Sequence, residues 1–145
     1  MNQLLEIIPA KVAVAFGAIT GAISWLLGGF TVPLIWLFIF VTVDYVTGIA
    51  AAVKNGEMNS KTGFVGILKK ALIFGVVAFC HGVDEMTRIE ALKNAAIVAY
   101  GINEALSILE NAARLGLEPL IPASIKRALK SLKDKNDNAP PMRRP

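Results

Sequence analysis

The feature that most constrains this chain is a run of nineteen residues without a charged side chain, from Val12 to Phe30. As an α-helix with a rise of about 1.5 Å per residue, the run is about 28 Å long, close to the hydrocarbon thickness of a bilayer. A cleaved signal peptide is disfavoured because the leader MNQLLEIIPAK is weakly basic and the apolar run is too long. The run therefore predicts a membrane-spanning helix.

Four apolar segments alternate with polar links in the first 118 residues, and each is long enough to cross a bilayer as a helix. The chain of 145 residues is 54% hydrophobic and 18% charged, whereas soluble domains carry about 25% charged residues. This composition predicts an all-α, multi-span integral membrane domain over residues 1–118. Its predicted spans are residues 12–30, 32–53, 64–82 and 91–115.

The charges of the links indicate how the chain is oriented. The link after the second segment is mainly basic, with Lys54 and Lys61 against one acidic residue, Glu57. The C-terminal region is also mainly basic. The link at residues 83–90 is mainly acidic. Because basic loops stay on the cytoplasmic side of a membrane, the pattern predicts four spans with both termini in the cytoplasm.

The region after the fourth segment changes character. Residues 119–134 predict an amphipathic helix, since apolar residues from Ile125 to Leu132 recur at helical spacing. Such a helix either lies on an anionic membrane surface or remains solvated, and both interpretations stay open. Residues 135–145 lack apolar periodicity, so we expect disorder there. The basic residues on the other faces of the helix, which are candidates for lipid contact, are Lys126, Arg127, Lys130 and Lys133.

The fourth segment has two sharply different faces. At about 100° per residue, its polar side chains fall within an arc of about 120°. Insertion of its apolar residues gains about 2–4 kcal/mol, whereas Glu104 and Glu110, if charged near the bilayer centre, cost roughly 5–7 kcal/mol. The candidate pore-lining or helix-packing residues of this arc are Tyr100, Asn103, Glu104, Ser107, Glu110, Asn111 and Arg114.

A helix with such a face is unstable alone in lipid, so its polar arc must meet water, headgroups or other protein. Two arrangements satisfy this requirement. The helix lies flat at the membrane interface, or its arc lines a water-filled space in an oligomer. We therefore expect membrane lipids and further copies of the chain as partners.

A second polar face occurs within the second segment, where Asp44, Thr47 and Gly48 share one side of the helix. A carboxylate at that depth is costly unless it is paired or hydrated, so we expect Asp44 to face the interior of the bundle. The oppositely charged candidates are Lys69 and Lys70 of the third segment. Alternatively, both lysines extend to the cytoplasmic headgroups at the end of their span.

Small residues recur along one side of the first segment, where Gly17 and Gly21 lie within the sequence GAITG. A stripe of small residues lets a second helix approach closely. Glycine and alanine are also common in membrane spans, so a chance arrangement is the alternative interpretation.

The residue types of catalytic and metal sites are scarce. The chain has one cysteine, Cys80, and one histidine, His81, too few for a zinc site or an intrachain disulfide. It also lacks a Gly-rich phosphate loop and a Ser/His/Asp set, so we expect no enzyme, metal or cofactor. The formal net charge of +4 is not interleaved with aromatic residues, which favours anionic lipid headgroups over nucleic acid.

An ordered set of residues carries a resemblance that covers about residues 30–130. These residues are Asp44, Tyr45, Val46, Thr47, Gly48, Ser60, Gly63, Lys69, Lys70, Asn103, Glu104, Ser107, Glu110, Asn111, Gly116, Pro119 and Pro122. In this order they resemble bacteriophage holins of the toxin-secretion and phage-lysis type. The resemblance implies a phage protein that oligomerises in the bacterial cytoplasmic membrane and forms lesions, through which an endolysin, or in related systems a toxin, leaves the cytoplasm. It also implies no cofactor and no catalytic residue.

Two other classes fit the residues themselves. A small oligomeric transporter or ion channel would use the same intramembrane charges to conduct a solute. A membrane scaffold would recruit a partner through the basic C-terminal region. Timed lethality with release of large cytoplasmic proteins indicates a holin, whereas graded uptake of one solute without cell death indicates a transporter.

Overall fold

The computed structural model describes residues 10–137, and this part of the chain contains helices and no strand. The predicted all-α class is therefore confirmed. Residues 119–134 contain the predicted amphipathic helix, which continues to Asp137, so residues 135–137 are helical, and the remainder of the predicted tail lies outside the described residues. The elements are α1 (Ala10–Leu26), α2 (Val32–Lys54), α3 (Ser60–Thr87), α4 (Leu92–Arg114), a 3-10 helix (Glu118–Leu120) and α5 (Ala123–Asp137).

The third helix is longer than the apolar pattern predicts. The apolar run ends near residue 82, but α3 continues to Thr87, so most of the predicted polar link belongs to the helix. Arg88 then ends the helix in a left-handed conformation with φ of 58°, and its N–H donates to the carbonyl oxygen of Asp84. Hydropathy marks where a helix leaves an apolar environment, which is not where its backbone hydrogen bonds end.

Two of the described helices are long and apolar enough to cross a membrane, namely Val32–Lys54 and the part of α3 from Gly63 to Thr87. Val12–Leu26 is a shorter apolar helix. The amphipathic helix α4 is not among these candidate spans, because its polar arc lowers its mean hydropathy. The structure thus supports membrane insertion through α2 and α3, while four spans remain a prediction.

The helix α4 is central to the bundle. It packs against α2, α3 and α5, whereas α1 packs only lightly against α3. We call the end where α2 joins α3 the loop end, and the opposite end, where α3 joins α4, the far end. An apolar core fills the half nearer the far end, and the rings of Phe38 and Phe74 stack beside it with centroids 4.1 Å apart. The buried core residues are Leu27, Leu34, Leu37, Val41, Ile73, Val77 and Ile97.

The bundle has an apolar exterior and charged residues in its interior. Asp44, Asp84 and Glu104 are buried, while large apolar side chains of α1, α2 and α3 are exposed. Soluble proteins rarely expose contiguous apolar surface of this extent, and in a bilayer the same surface contacts acyl chains. Examples of the exposed side chains are Phe16, Ile19, Trp25, Val32, Trp36, Val46, Phe64, Leu68, Leu72 and Phe79.

Packing of the core predicts a large difference between two neighbouring positions of α2. Leu37 is 1% exposed and Ile39 is 41% exposed. Leu37→Ala leaves a cavity between α2, α3 and α4 and lowers the free energy of unfolding by about 2–5 kcal/mol. Ile39→Ala is the control, and we expect a clearly smaller loss. Reversible denaturation in mixed micelles, followed by circular dichroism, measures both; equal losses would contradict the observed packing.

Candidate functional site

Three charged side chains from three helices meet near the middle of the bundle. Lys70 of α3 places its Nζ 2.6 Å from Oδ2 of Asp44 on α2, and the same Nζ donates to Oε2 of Glu104 on α4. Each residue lies close to the midpoint of its helix. We call Asp44, Lys70 and Glu104 the charge cluster. It connects α2, α3 and α4 near the midpoint of each helix.

Amide and hydroxyl groups extend the charge cluster toward the loop end. The Nδ2 of Asn111 donates to Oδ1 of Asp44 at 2.8 Å and also lies 3.3 Å from Oγ1 of Thr47. Gly48 lies beside the same amide, because a Cβ added there would be in ordinary van der Waals contact with Nδ2 of Asn111, at 3.4 Å. The face formed by Asp44, Thr47 and Gly48 therefore packs against α4.

Burial makes the charge cluster costly unless all of its partners are present. Asp44 is 8% exposed and Glu104 is 5% exposed, so both carboxylates have lost most contact with solvent. Every buried side-chain nitrogen and oxygen among the described residues has a hydrogen-bond partner. A buried ion pair gains little net free energy, but removal of one partner is strongly destabilising. The charge cluster therefore specifies how the three helices pack.

A cavity of about 400 Å³ lies beside the charge cluster on its loop-end side. Gly63 and Gly66 of α3 contribute no side chains to its wall, and the ring of Tyr45 stands 3.6 Å from the position of a Cβ on Gly66. Ser107 and Glu110, both in the predicted polar arc, also line it. Polar side chains therefore line the cavity from the loop end to the middle of the bundle.

Two contacts fasten the loop end of the bundle. The Nζ of Lys54 donates to the carbonyl oxygen of Leu115 at 2.6 Å, and Arg114 forms an ion pair with Glu57. A cation at the C-terminus of a helix satisfies a free carbonyl group and opposes the negative end of the helix dipole. Arg114, which the sequence analysis includes among the pore-lining or helix-packing candidates, therefore contacts the α2–α3 loop in this structure.

A second polar group at the far end was not predicted as a site. The carboxylate of Asp84 accepts hydrogen bonds from the backbone N–H groups of Leu92 and Lys93, at 3.0 and 2.8 Å, and so caps α4 from the preceding helix. The Nζ of Lys93 donates to the carbonyl oxygen of Gly28 at 3.1 Å, and the ring of His81 adjoins the same glycine. The sequence signal was an acidic residue shortly before a helix that lacks its own capping side chain.

The remaining predicted residues are dispersed. Tyr100 packs against the apolar core, whereas Asn103 and Lys69 are exposed. Gly17 and Gly21 have open space where a Cβ would be. On α5, Lys126 forms an ion pair with Glu118, and the other basic candidates, Arg127, Lys130 and Lys133, are exposed.

Part of the polar arc of α4 packs against other helices of the same chain. Glu104 and Asn111 contact α2 and α3 of the same chain. These contacts satisfy part of the arc within one chain, and the interfacial and oligomeric arrangements stay predictions. Among the described residues, no three His, Cys, Asp or Glu side chains gather as a metal site requires.

The charge cluster predicts unequal roles for two adjacent lysines. Lys70→Met leaves the carboxylates of Asp44 and Glu104 buried without a cation, and we expect a loss of about 3–5 kcal/mol in the free energy of unfolding. Lys69→Met removes the same charge from an exposed position and should change it by less than about 0.5 kcal/mol. Denaturation in mixed micelles measures both variants.

A neutral version of the cluster serves as the rescue control. The triple variant Asp44→Asn, Lys70→Met, Glu104→Gln should be more stable than Lys70→Met alone, because it leaves no unpaired buried charge. Equal losses for the two lysine variants, or no rescue by the triple variant, would contradict the pairing.

Comparison with known proteins adds an independent observation. The sequence profile of the bacteriophage holin family matches residues 21–134. An uncharacterized protein of Halalkalibacterium halodurans is 38% identical over 121 residues, which cover 79% of this chain and 88% of the relative. A probable holin of Bacillus phage phi105 is 34% identical over 96 residues, covering 66% of this chain and 70% of the relative. No solved structure matches. The matched region includes α2 to α4 with the charge cluster and most of α5, and the chain belongs to the bacteriophage holin family.

Proposed function

We infer that this chain is a phage holin that oligomerises in the bacterial cytoplasmic membrane and forms lesions, through which an endolysin reaches the cell wall. The family consists of non-enzymatic membrane lysis proteins. The observation that carries the proposal is a bundle with an apolar exterior around a charged interior, in a chain whose family disrupts membranes. Host cell lysis would follow from the escape of the endolysin.

The distribution of charge supports a four-span topology with both termini in the cytoplasm. Lys54, Lys61 and Arg114 lie at the loop end, where α5 also begins. Basic residues remain on the cytoplasmic side of a membrane, so the loop end is assigned to the cytoplasm. In this topology α1 to α4 cross the membrane, and α4 crosses with its polar arc turned toward α2 and α3.

The closed bundle supplies a reason for delayed action. Because Lys70 contacts both carboxylates of the charge cluster within one chain, each charged side chain of the cluster already has an oppositely charged neighbour in a dispersed subunit. At high surface density, subunits that pack through exposed faces such as the Gly17 and Gly21 side of α1 would exchange intramolecular polar contacts for shared, hydrated ones. Lesions would then form when this exchange becomes favourable.

A small oligomeric ion channel or transporter is the second candidate. The cavity of about 400 Å³ that reaches the charge cluster favours it, since polar access to the middle of a span is what a conduction path requires. The two functions differ in what passes. A channel carries small solutes, whereas a holin lesion passes a folded enzyme.

Inducible expression in a bacterium that also produces a cytoplasmic wall hydrolase tests the proposal. A holin should cause abrupt lysis together with membrane depolarisation after a delay, and cells without the hydrolase should depolarise but keep their shape. Gradual solute-specific uptake with continued growth would indicate the channel. Unimpaired growth with no depolarisation, at verified expression in the membrane, would contradict both.

The polar arc predicts a change in lysis timing. Glu104→Leu with Glu110→Leu removes the carboxylates that would face a hydrated interior, so we expect lysis to be abolished or shifted in time. Asn94→Leu, an exposed polar position on the same helix, is the control and should leave the timing unchanged. Optical density after induction, with immunoblotting for equal membrane content, measures the effect; normal timing in the double variant would count against the mechanism.

A further inference from the structure

The basic helix α5 lies against the apolar side of α4. Leu129 lines one cavity with Ile102 and Ala105, and Lys130 lines another with Leu109. The two cavities, of about 280 and 560 Å³, are partly open to the surface and lie beside the contact between α4 and α5. Ile125 and Leu132 of α5 remain 48% and 49% exposed.

This position of α5 conflicts with insertion of α4. Ala105 is adjacent in sequence to Glu104 of the charge cluster, and it therefore lies near the middle of the inserted bundle. A helix that carries Arg127, Lys130 and Lys133 beside that region would hold exposed cations at hydrocarbon depth, where they are least tolerated. The apolar side of α4 and the basic side of α5 require different environments.

We propose that α5 separates from α4 when the bundle spans a bilayer and lies on the cytoplasmic leaflet, with its basic side chains on anionic phospholipid headgroups. The inference rests on the proposed membrane insertion, and it does not depend on lesion formation. In this position the apolar stripe of α5 contacts the lipid acyl chains and no longer contacts α4. The vacated side of α4 faces lipid.

The composition of α5 fits an anionic lipid surface. Its apolar stripe from Ile125 to Leu132 is narrow, and exposed basic residues flank it, which is the pattern of helices that lie in the membrane interface. No aromatic residue occurs between Ala123 and Asp137, so the helix lacks the stacking side chains of single-strand nucleic-acid surfaces. The apolar stripe and the absence of aromatic residues therefore favour an anionic lipid surface over single-stranded nucleic acid.

The connection to α4 allows the separation. Between the two helices lie Gly116, with φ of 80°, and the 3-10 helix Glu118–Leu120. An ion pair between Lys126 and Glu118 spans 2.7 Å and holds the start of α5 to this connector, not to α4. The end of α4 is anchored separately by Lys54, so α5 and the connector can move while α4 stays in place.

Electrostatic attraction to an anionic surface sets the expected size of the effect. Each basic residue near such a surface strengthens association about fivefold, by the usual free energy per Lys or Arg. Replacing Arg127, Lys130 and Lys133 by Gln should therefore weaken surface association by roughly a hundredfold. Lys61→Gln removes a cation from the same end of the bundle but not from α5, and it is the matched control.

Two measurements on the full chain test the proposal, both on a Cys80→Ser background that leaves no other cysteine. Nitroxides at Val98→Cys on α4 and Ser131→Cys on α5 report the separation of the helices by pulsed electron paramagnetic resonance. A polarity-sensitive fluorophore at Leu132→Cys reports contact of α5 with the bilayer. Samples are zwitterionic micelles, phosphatidylcholine vesicles and vesicles that also contain phosphatidylglycerol.

The proposal predicts a longer distance between the nitroxides in phosphatidylglycerol vesicles than in micelles, together with embedding of the fluorophore. Embedding should increase with the phosphatidylglycerol fraction, persist in Lys61→Gln and be lost in the triple Gln variant. An unchanged distance in vesicles, or embedding that ignores lipid charge, would overturn the proposal. Release of α5 from the vesicles by a short DNA duplex at physiological salt would also overturn it, in favour of nucleic acid. A chain that passes these tests and fails to lyse cells would contradict the lesion proposal alone.

Discussion

The buried pairing of Lys70 with Asp44 and Glu104 is the constraint on which the rest of the structure depends. One ammonium group serves two carboxylates, and each of the three helices supplies one member. Without the lysine, both carboxylates would be unpaired in an apolar environment, which few arrangements tolerate. The same requirement sets the level along the helices at which they meet, and the charge cluster adjoins the amide of Asn111 and the polar wall of the neighbouring cavity.

A polar interior changes how the apolar exterior is interpreted. In a soluble bundle the exposed Val, Ile and Phe side chains would be an aggregation hazard, whereas in a bilayer they are the surface that lipid requires. Pairing of the charges within one chain would also make membrane insertion independent of assembly, in the function proposed above. Under the proposed function, a subunit would enter the membrane and remain inert, and its polar groups would become available to neighbouring subunits only when the bundle opens. This separation fits a protein family whose members act by membrane lysis.

Sequence periodicity was sufficient for the helices but not for their partners. Predominantly apolar runs predict α2 and α3, and the arc of α4 identifies which side of that helix is polar. Periodicity cannot distinguish Lys69 from Lys70 as the partner of Asp44. The two side chains point about 100° apart around the axis of α3, and the position of α2 relative to α3 decides which of them reaches Asp44. The cap that Asp84 provides to α4 likewise depends on a tertiary approach, and so does the contact of α5 with α4.

The most direct test measures the charge cluster in a membrane. Solid-state NMR on the full chain in bilayers, with ¹⁵N-labelled lysine and ¹³C-labelled carboxylates, detects whether Nζ of Lys70 contacts Cγ of Asp44 and Cδ of Glu104. The account predicts both short-range couplings, and it predicts that neither appears when Lys70 is replaced by Met. A Lys70 ammonium that lacks carboxylate contacts and exchanges freely with bulk water would contradict it.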